Sequence, residues 1–279
     1  TRETMSEINF KEIKVNYSSR GKGEAIVFLH GFCEDSSVWD DFISTFKSNK
    51  IIRIDLPGFG SSEAMNNPSV ELFADVVKSV LNHLEIKTCT LIGHSMGGYV
   101  SLAFAKKHAA HLNGLGIFHS YPYADSKEKK ASRAKSIAFI KKNSHFHYIK
   151  QLFPNLFPPA FLSSNNFLVN KMIHRASSFS QAGIIGGLEL MMNRPDNSEV
   201  LKNIKCPVLF IVGKEDEVIP FDKSMEQTAL PDMAHIHVLK GVGHMGMFEA
   251  TNETRKIIKF FVKFCADFTK INSDKMVNI

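Results

Sequence analysis

The stretch Thr88-Cys-Thr-Leu-Ile-Gly-His-Ser-Met-Gly-Gly-Tyr-Val100 decides how this chain is read. Thr88 to Ile92 forms a short run suited to a buried parallel strand, and Met96 to His108 follows directly with a helical pattern. Between them stands Gly93-His94-Ser95-Met96-Gly97, so the strand must turn into the helix at Ser95. A serine at such a sharp, strained turn holds its hydroxyl exposed above the sheet. Strand and helix pass close together there, so the positions two before and two after the serine must lack side chains. Gly93 and Gly97 meet that requirement and Gly98 extends it. The competing reading is a glycine-rich strand–helix turn without chemistry.

Similar short runs recur on both sides of this segment. Ala25 to Leu29, Ile51 to Ile54, Leu115 to Phe118 and Val208 to Val212 read as buried strands, Ile236 to Leu239 adds another, and Ile13 to Tyr17 an outer one. Helical spacing falls between them: Ser69 to Leu84 opens on a serine cap with Glu71 behind it, and Glu253 to Phe268 closes the chain. Strands alternating with helices imply a mostly parallel α/β sheet covered on both faces, its strand-end loops gathered along one edge. The alternation stops between residues 121 and 204, where helical segments are broken at Pro154, Pro158-Pro159, Gly186-Gly187 and Pro195. The expected organisation is a core of residues 1–120 and 205–279 with an all-helical cap, or lid, of residues 121–204.

A serine at its ordinary pKa is a weak nucleophile and needs a base oriented by a third group. Among the 12 histidines, His244 lies just after the last strand, in Gly241-Val-Gly-His-Met, so its loop opens on the same edge as Ser95. His94 should point away from that edge by alternation, and His30 ends a strand and shapes the turn at Gly31. His235 and His237 share one face of a strand, and His145 and His147 are equally spaced; with no third ligand evident, no metal site is expected. The acid should follow another strand. Glu215, Asp216 and Glu217 all qualify by position; Asp216 is preferred, with the two glutamates as rivals. The developing oxyanion needs backbone donors, for which the Met96 N–H and the Phe32 N–H are placed. Phe32, Met96 and Met245 would then line the substrate pocket.

At 279 residues the chain is long enough to bury a sizeable core without disulfide or metal support. The four cysteines form no CxxC pair, and Cys89 and Cys206 beside strands read as reduced, buried thiols. The net charge of +6 is spread over separated clusters at Lys106-Lys107, Lys127 to Lys130 and Lys141-Lys142, which read as solvated helix faces rather than a nucleic-acid surface. No apolar stretch reaches membrane-spanning length, and the first twelve residues lack the apolar centre of a signal peptide. A cytoplasmic location is expected.

The chain resembles the α/β-hydrolase superfamily over nearly its whole length outside the lid. The matching residues are His30-Gly31-Phe32, Asp55-Leu-Pro-Gly-Phe-Gly-Ser61, Gly93 to Gly98, Gly213-Lys-Glu-Asp216 with Pro220, and Gly243-His244. The family pattern places the acid at Asp216 and gives Asp55 a structural, non-catalytic turn. What the resemblance implies is a cofactor-free serine hydrolase with the triad Ser95, Asp216 and His244, cleaving an ester or related acyl bond of a small apolar substrate. The alternative is a hydrolase-fold ligand receptor or signalling module with slow turnover. Phenylalanines of the lid (Phe139, Phe146, Phe153, Phe157, Phe161, Phe167 and Phe179) are expected mostly to pack its own helices, with some facing Ser95.

Overall fold

A computed structural model describes residues 4–277 of the chain; residues 1–3 and 278–279, which the sequence reading counts with the core, lie outside the described residues. Eight strands form one sheet: β1 (Thr4–Phe10), β2 (Ile13–Arg20), β3 (Ala25–Leu29), β4 (Lys50–Ile54), β5 (Cys89–His94), β6 (Leu112–Phe118), β7 (Val208–Gly213) and β8 (Ala234–Leu239). Their spatial order is β1-β2-β4-β3-β5-β6-β7-β8. The β1/β2 and β2/β4 pairs are antiparallel and every other pair is parallel. Burial explains the composition: β3, β5, β6 and β7 are buried at every position, which suits runs of apolar residues with helices on both faces.

The first strand departs from the sequence reading, in which Ile13 to Tyr17 was the outer one. β1 lies outside β2 and pairs with it from Thr4↔Ser19 to Phe10↔Ile13. It is an edge strand whose only fully buried apolar residue is Ile8, so it carries little apolar signal.

Two helices pack beside the centre of the sheet. Helix α1 (Val70–His83) starts where the Ser69 hydroxyl accepts the Leu72 N–H at 3.2 Å, and it buries Phe73, Val76, Val77, Val80 and Leu81. Helix α2 (Met96–His108) is buried continuously from Met96 to Ala105, as the helix directly behind Ser95 must be. The chain closes on α9 (Phe221–Glu226), α10 (Gly246–Glu249) and the long α11 (Thr251–Val277).

Between β6 and β7 run α3 (Lys127–Lys142), α4 (His145–Leu152), a 3-10 turn at Phe153–Leu156, α5 (Pro159–Ser164), α6 (Asn166–Ala176), α7 (Gln181–Asn193) and α8 (Ser198–Asn203). The expected breaks fall at the prolines but not at Gly186-Gly187, which α7 crosses without interruption. Those glycines serve packing instead: a Cβ at Gly187 would come within 2.8 Å of the Phe32 and Phe59 rings. The two ends of the insertion are tied together below the surface. Asp125 binds Arg133 at 2.5 Å and Arg194 at 2.7 Å, and the Arg194 guanidinium lies 3.9 Å from the centre of the Tyr99 ring on α2. Phe139, Phe146 and Phe167 are exposed rather than buried among the helices, Phe167 at 84%. Among the described residues no helix is long and apolar enough to cross a membrane.

Candidate active site

Parallel pairing sets the ends of four strands side by side. Leu29 of β3 lies opposite Gly93 of β5, His94 opposite Phe118 of β6, and Phe118 opposite Ile211 of β7. The loops that follow these strands, together with the one after β8, carry the candidate residues.

Ser95 is the turn between β5 and α2, with φ +50° and ψ −115°, a left-handed conformation that costs a non-glycine residue energy. Its neighbours hold it there. The Ser95 N–H donates to the Phe118 carbonyl at 3.0 Å, and the Ser95 carbonyl accepts the Ser120 hydroxyl at 2.8 Å. Ser120 is fixed in turn, because the Gln227 side-chain amide donates to its carbonyl at 2.8 Å. A side chain at Gly97 would lie 2.7 Å from the carbonyl oxygens of Leu29 and His30, and one at Gly93 would overlap the Gly97 carbonyl. The close passage expected from the motif is therefore present in the backbone.

The Ser95 hydroxyl lies 2.8 Å from His244 Nε2, and His244 Nδ1 lies 2.9 Å from Asp216 Oδ2. With Nδ1–H donating to the carboxylate, Nε2 is left as acceptor for the serine proton. Asp216 is buried between its exposed neighbours Glu215 and Glu217. Its second oxygen accepts the N–H groups of Val218 at 2.8 Å and Ile219 at 3.0 Å. Burial pushes the Asp216 carboxyl up, but His244, His119 and the Ile219 N–H pull it further down, to about 2. The structure thus brings Ser95, Asp216 and His244 together and leaves Glu215 and Glu217 outside.

The loop bearing His244 is gripped on every side. Glu249 accepts the N–H of Gly243 at 2.6 Å and of Met245 at 2.8 Å, the two residues flanking the histidine. The His244 N–H donates to the Leu156 carbonyl of the helical insertion at 3.0 Å, and its own carbonyl accepts from His94 Nε2 at 2.8 Å. The His94 ring lies 5.0 Å from that of His244 and in contact with the backbone of that residue. Glu34, which sequence reasoning passed over, meets the other nitrogen of that ring at 3.1 Å. His119 was missed as well. It sits at the end of β6 with φ +47°, accepts the Gly213 N–H at 3.1 Å, and lies 3.8 Å from Asp216. Burial, with His244 and His94 nearby, drives its pKa well below the usual range even though Asp216 acts in the opposite direction.

Of the proposed backbone donors, neither the Phe32 N–H nor the Met96 N–H is engaged by an acceptor among the described residues. Met96 and Met245 are fully buried, while Phe32 is half-buried, its ring 6.3 Å from Tyr148 and 5.9 Å from Phe59. Phe59 in turn meets Phe179 of the insertion at 5.9 Å. Asp55 spends its carboxylate on turns, accepting Ser36 N–H at 2.9 Å and Ser61 N–H at 3.0 Å. His30 binds the Gly31 carbonyl at 2.8 Å and accepts the Leu56 N–H at 2.9 Å, which makes it a turn residue. His235 packs on Phe264 at 4.5 Å, and among the described residues no group of three or more histidine, cysteine or acidic side chains is placed to hold a metal. Cys206 is half-buried rather than buried, and all four cysteines are free.

A model of the alpha/beta hydrolase family matches residues 26–256. Among curated relatives, a 2-hydroxy-6-oxononadienedioate/2-hydroxy-6-oxononatrienedioate hydrolase of Burkholderia vietnamiensis is 24% identical, over 90% of this chain and 92% of its own. The protein of the same name from Paraburkholderia phymatum is 26% identical, over 90% and 91%. Among solved structures, a thermophilic esterase from Thermogutta terrifontis superposes with a TM-score of 0.89 at 24% identity, covering 94% of this chain and 99% of that one. An enol-lactonase from Burkholderia xenovorans gives 0.86 at 19% identity, covering 92% and 100%.

Proposed function

The chain belongs to the alpha/beta hydrolase family, and on that premise we propose that it is a serine hydrolase that cleaves an ester or related acyl bond of a small, largely apolar substrate. The observation that carries this reading is the hydrogen-bonded line from the Ser95 hydroxyl through His244 to Asp216, at 2.8 and 2.9 Å, with the serine in a strained turn.

The reaction follows from that line. His244 Nε2 takes the Ser95 proton as the oxygen attacks the acyl carbon, and the ionised Asp216 stabilises the imidazolium that forms. The carbonyl oxygen gains negative charge and is held by the unengaged N–H groups of Phe32 and Met96. The imidazolium then protonates the leaving alcohol, leaving an acyl group on Ser95. Water, deprotonated by the same His244, attacks that acyl group; the acid leaves and Ser95 regains its proton. Each group returns to its starting state without a cofactor or metal.

The helical insertion acts as a lid over this chemistry. We assign Phe32, Met96 and Met245 to the pocket wall nearest Ser95; Tyr148 packs on Phe32 and Phe179 on Phe59. That apolar setting favours a neutral acyl group over a dicarboxylate such as those the Burkholderia and Paraburkholderia relatives are named for. Arg194 at the end of α7 is already occupied by Asp125 and by the carbonyls of Met191 at 2.6 Å and Tyr123 at 2.9 Å.

The test combines labelling and turnover. A fluorophosphonate should modify the wild type at Ser95 alone, and Ser95→Ala should fold normally while losing roughly three to six orders of magnitude in esterase rate. Product should accumulate over many turnovers on a panel of activated esters, thioesters and lactones. Full activity in the alanine variant would overturn the nucleophile assignment. A single burst of about one product per protein across the panel would replace the enzyme reading with that of a slow, receptor-like module.

A further inference from the structure

His94 is wholly buried beside Ser95, and both of its ring nitrogens face oxygens. Nδ1 meets Glu34 Oε2 at 3.1 Å, and Nε2 meets the His244 carbonyl at 2.8 Å. A neutral imidazole has one donor nitrogen and one acceptor, so it would leave one of these contacts repulsive. With Glu34 ionised, the arrangement is satisfied only by an imidazolium donating to the carboxylate on one side and to a peptide carbonyl on the other. The directions of titration agree. Burial opposes the charge on His94, yet Glu34 and the His244 carbonyl raise its pKa. Burial likewise opposes the charge on Glu34, yet His94 and the Gly31 N–H lower its pKa.

Glu34 does more than balance charge. Its Oε2 also accepts the Gly31 N–H at 2.8 Å, in the loop that presents the Phe32 N–H. The fit leaves no spare room: a Cβ at Gly31 would lie 2.8 Å from His94 Nδ1 and 2.9 Å from Glu34 Oε1. One buried pair therefore touches three strand-end loops, after β3 through Gly31, after β5 through His94, and after β8 through His244.

We propose that Glu34 and His94 form a buried ion pair that positions the His244 main chain and the 30–32 loop relative to Ser95, touching no substrate itself. The proposal rests on the hydrolase reading above for its kinetic consequence, though not for its geometry. The other ionisable groups around the pair are His244, whose ring centre is 5.0 Å from that of His94, His119 at 6.2 Å, Asp216 and Glu249, with His30 and the buried Cys33 beside Glu34. Their presence means that charge and geometry must be separated experimentally.

Three variants achieve that separation. Glu34→Gln removes the charge but keeps the shape: with its oxygen in the place of Oε2 it still accepts the Gly31 N–H, and a neutral His94 still donates from Nε2 to the His244 carbonyl, so only the contact between His94 Nδ1 and residue 34 is lost. His94→Ala removes the anchor of His244. Glu34→Gln/His94→Ala removes it without leaving a buried carboxylate unpaired, so a folded variant is at hand if the single alanine variant does not fold. The expected result is a fall in kcat on a small acetate ester of about 10²-fold in both His94→Ala forms, with KM changed far less, as for a misplaced catalytic group. Glu34→Gln should lose about tenfold less. The second readout is the downfield proton resonance of His244 Nδ1–H in the resting protein, identified by its loss in His244→Gln. It should shift or broaden when His94 is replaced and persist in Glu34→Gln. A folded double variant with wild-type kcat and an unmoved resonance overturns the proposal and leaves the pair a packing feature. A wild type without ester turnover, but with the resonance responding as described, overturns the hydrolase reading and upholds the positioning.

Discussion

The sheet edge and the helical insertion are built to different tolerances. Around Ser95, the carbonyl and N–H of the serine, the carboxylate of Asp216 and the peptide groups of residues 243–245 are nearly all engaged by named partners between 2.6 and 3.0 Å. The insertion meets that edge mainly through apolar contacts, Tyr148 on Phe32 and Phe179 on Phe59, and turns three phenylalanines outward. Hydrogen bonds fix direction and distance, whereas apolar contact fixes only proximity. The positions of Ser95, Asp216 and His244 are thus held by hydrogen bonds at the strand ends, to which the insertion adds the Leu156 carbonyl on the His244 N–H.

The sharpest way to break this contrast lies at the strand ends. Asp216→Asn keeps the shape of the loop but loses the carboxylate that sets the His244 tautomer, and kcat should fall by about 10⁴-fold. Glu215→Gln and Glu217→Gln, at exposed positions beside it, should change the rate little. Steady-state kinetics on an acetate ester decides between them, and inactivation by either glutamate variant instead would move the acid.

Next in size is the tie at the base of the insertion. Asp125→Ala leaves Arg194 buried without its carboxylate, which is expected to cost about 3–5 kcal/mol, read as a fall in the urea midpoint. A much smaller loss would mean that the insertion rests on the core without depending on this pair.

Acid should expose the strand-end carboxylate. Unfolded, Asp216 titrates near its ordinary value of 3.8; folded, it holds its proton only below about 2. Its contribution to stability, roughly 2 kcal/mol, is therefore fully present above about pH 4 and lost as the pH falls through 2. Urea midpoints compared between pH 7 and pH 2 should show a shallower acid loss in Asp216→Asn than in the wild type.

The smallest expected effects belong to the pocket. Tyr148→Ala and Phe179→Ala should raise the preference for a hexanoate over an acetate ester by about tenfold while leaving the acetate cleaved. Phe167→Ala, at a surface position, should alter neither. A uniform loss across all chain lengths in folded Tyr148 or Phe179 variants would place part of the chemistry in the insertion.

What the sequence makes legible follows the same division. Buried parallel strands declare themselves by apolar runs, and the turn at Ser95 by glycines whose neighbours leave no room for a side chain. β1 did not, because an edge strand buries one face only and alternates weakly. The residues that hold the candidate site were harder still. Glu34 and His94 are 60 positions apart, and a carboxylate after a strand looks like any surface charge until the partner is known. Glu249 and His119 act on backbone N–H groups, which every residue offers. The pull of Leu156 on His244 comes from a carbonyl, so its residue type carries no trace of it. Gly186-Gly187 misled for a related reason: the pair reads as a break, yet its value lies in letting an unbroken helix approach two aromatic rings.

That Leu156 carbonyl has a consequence for how such proteins can be recombined. An insertion that merely covered a pocket could be exchanged for that of a relative, carrying its selectivity along as a module. Here the graft would also have to present an acceptor 3.0 Å from the His244 N–H, or leave a buried peptide group without a partner. On the proposed hydrolase reading, the junction at Leu156 is a seam where selectivity and turnover rate would be inherited together, and a chimera cut on either side of it should keep both or lose both.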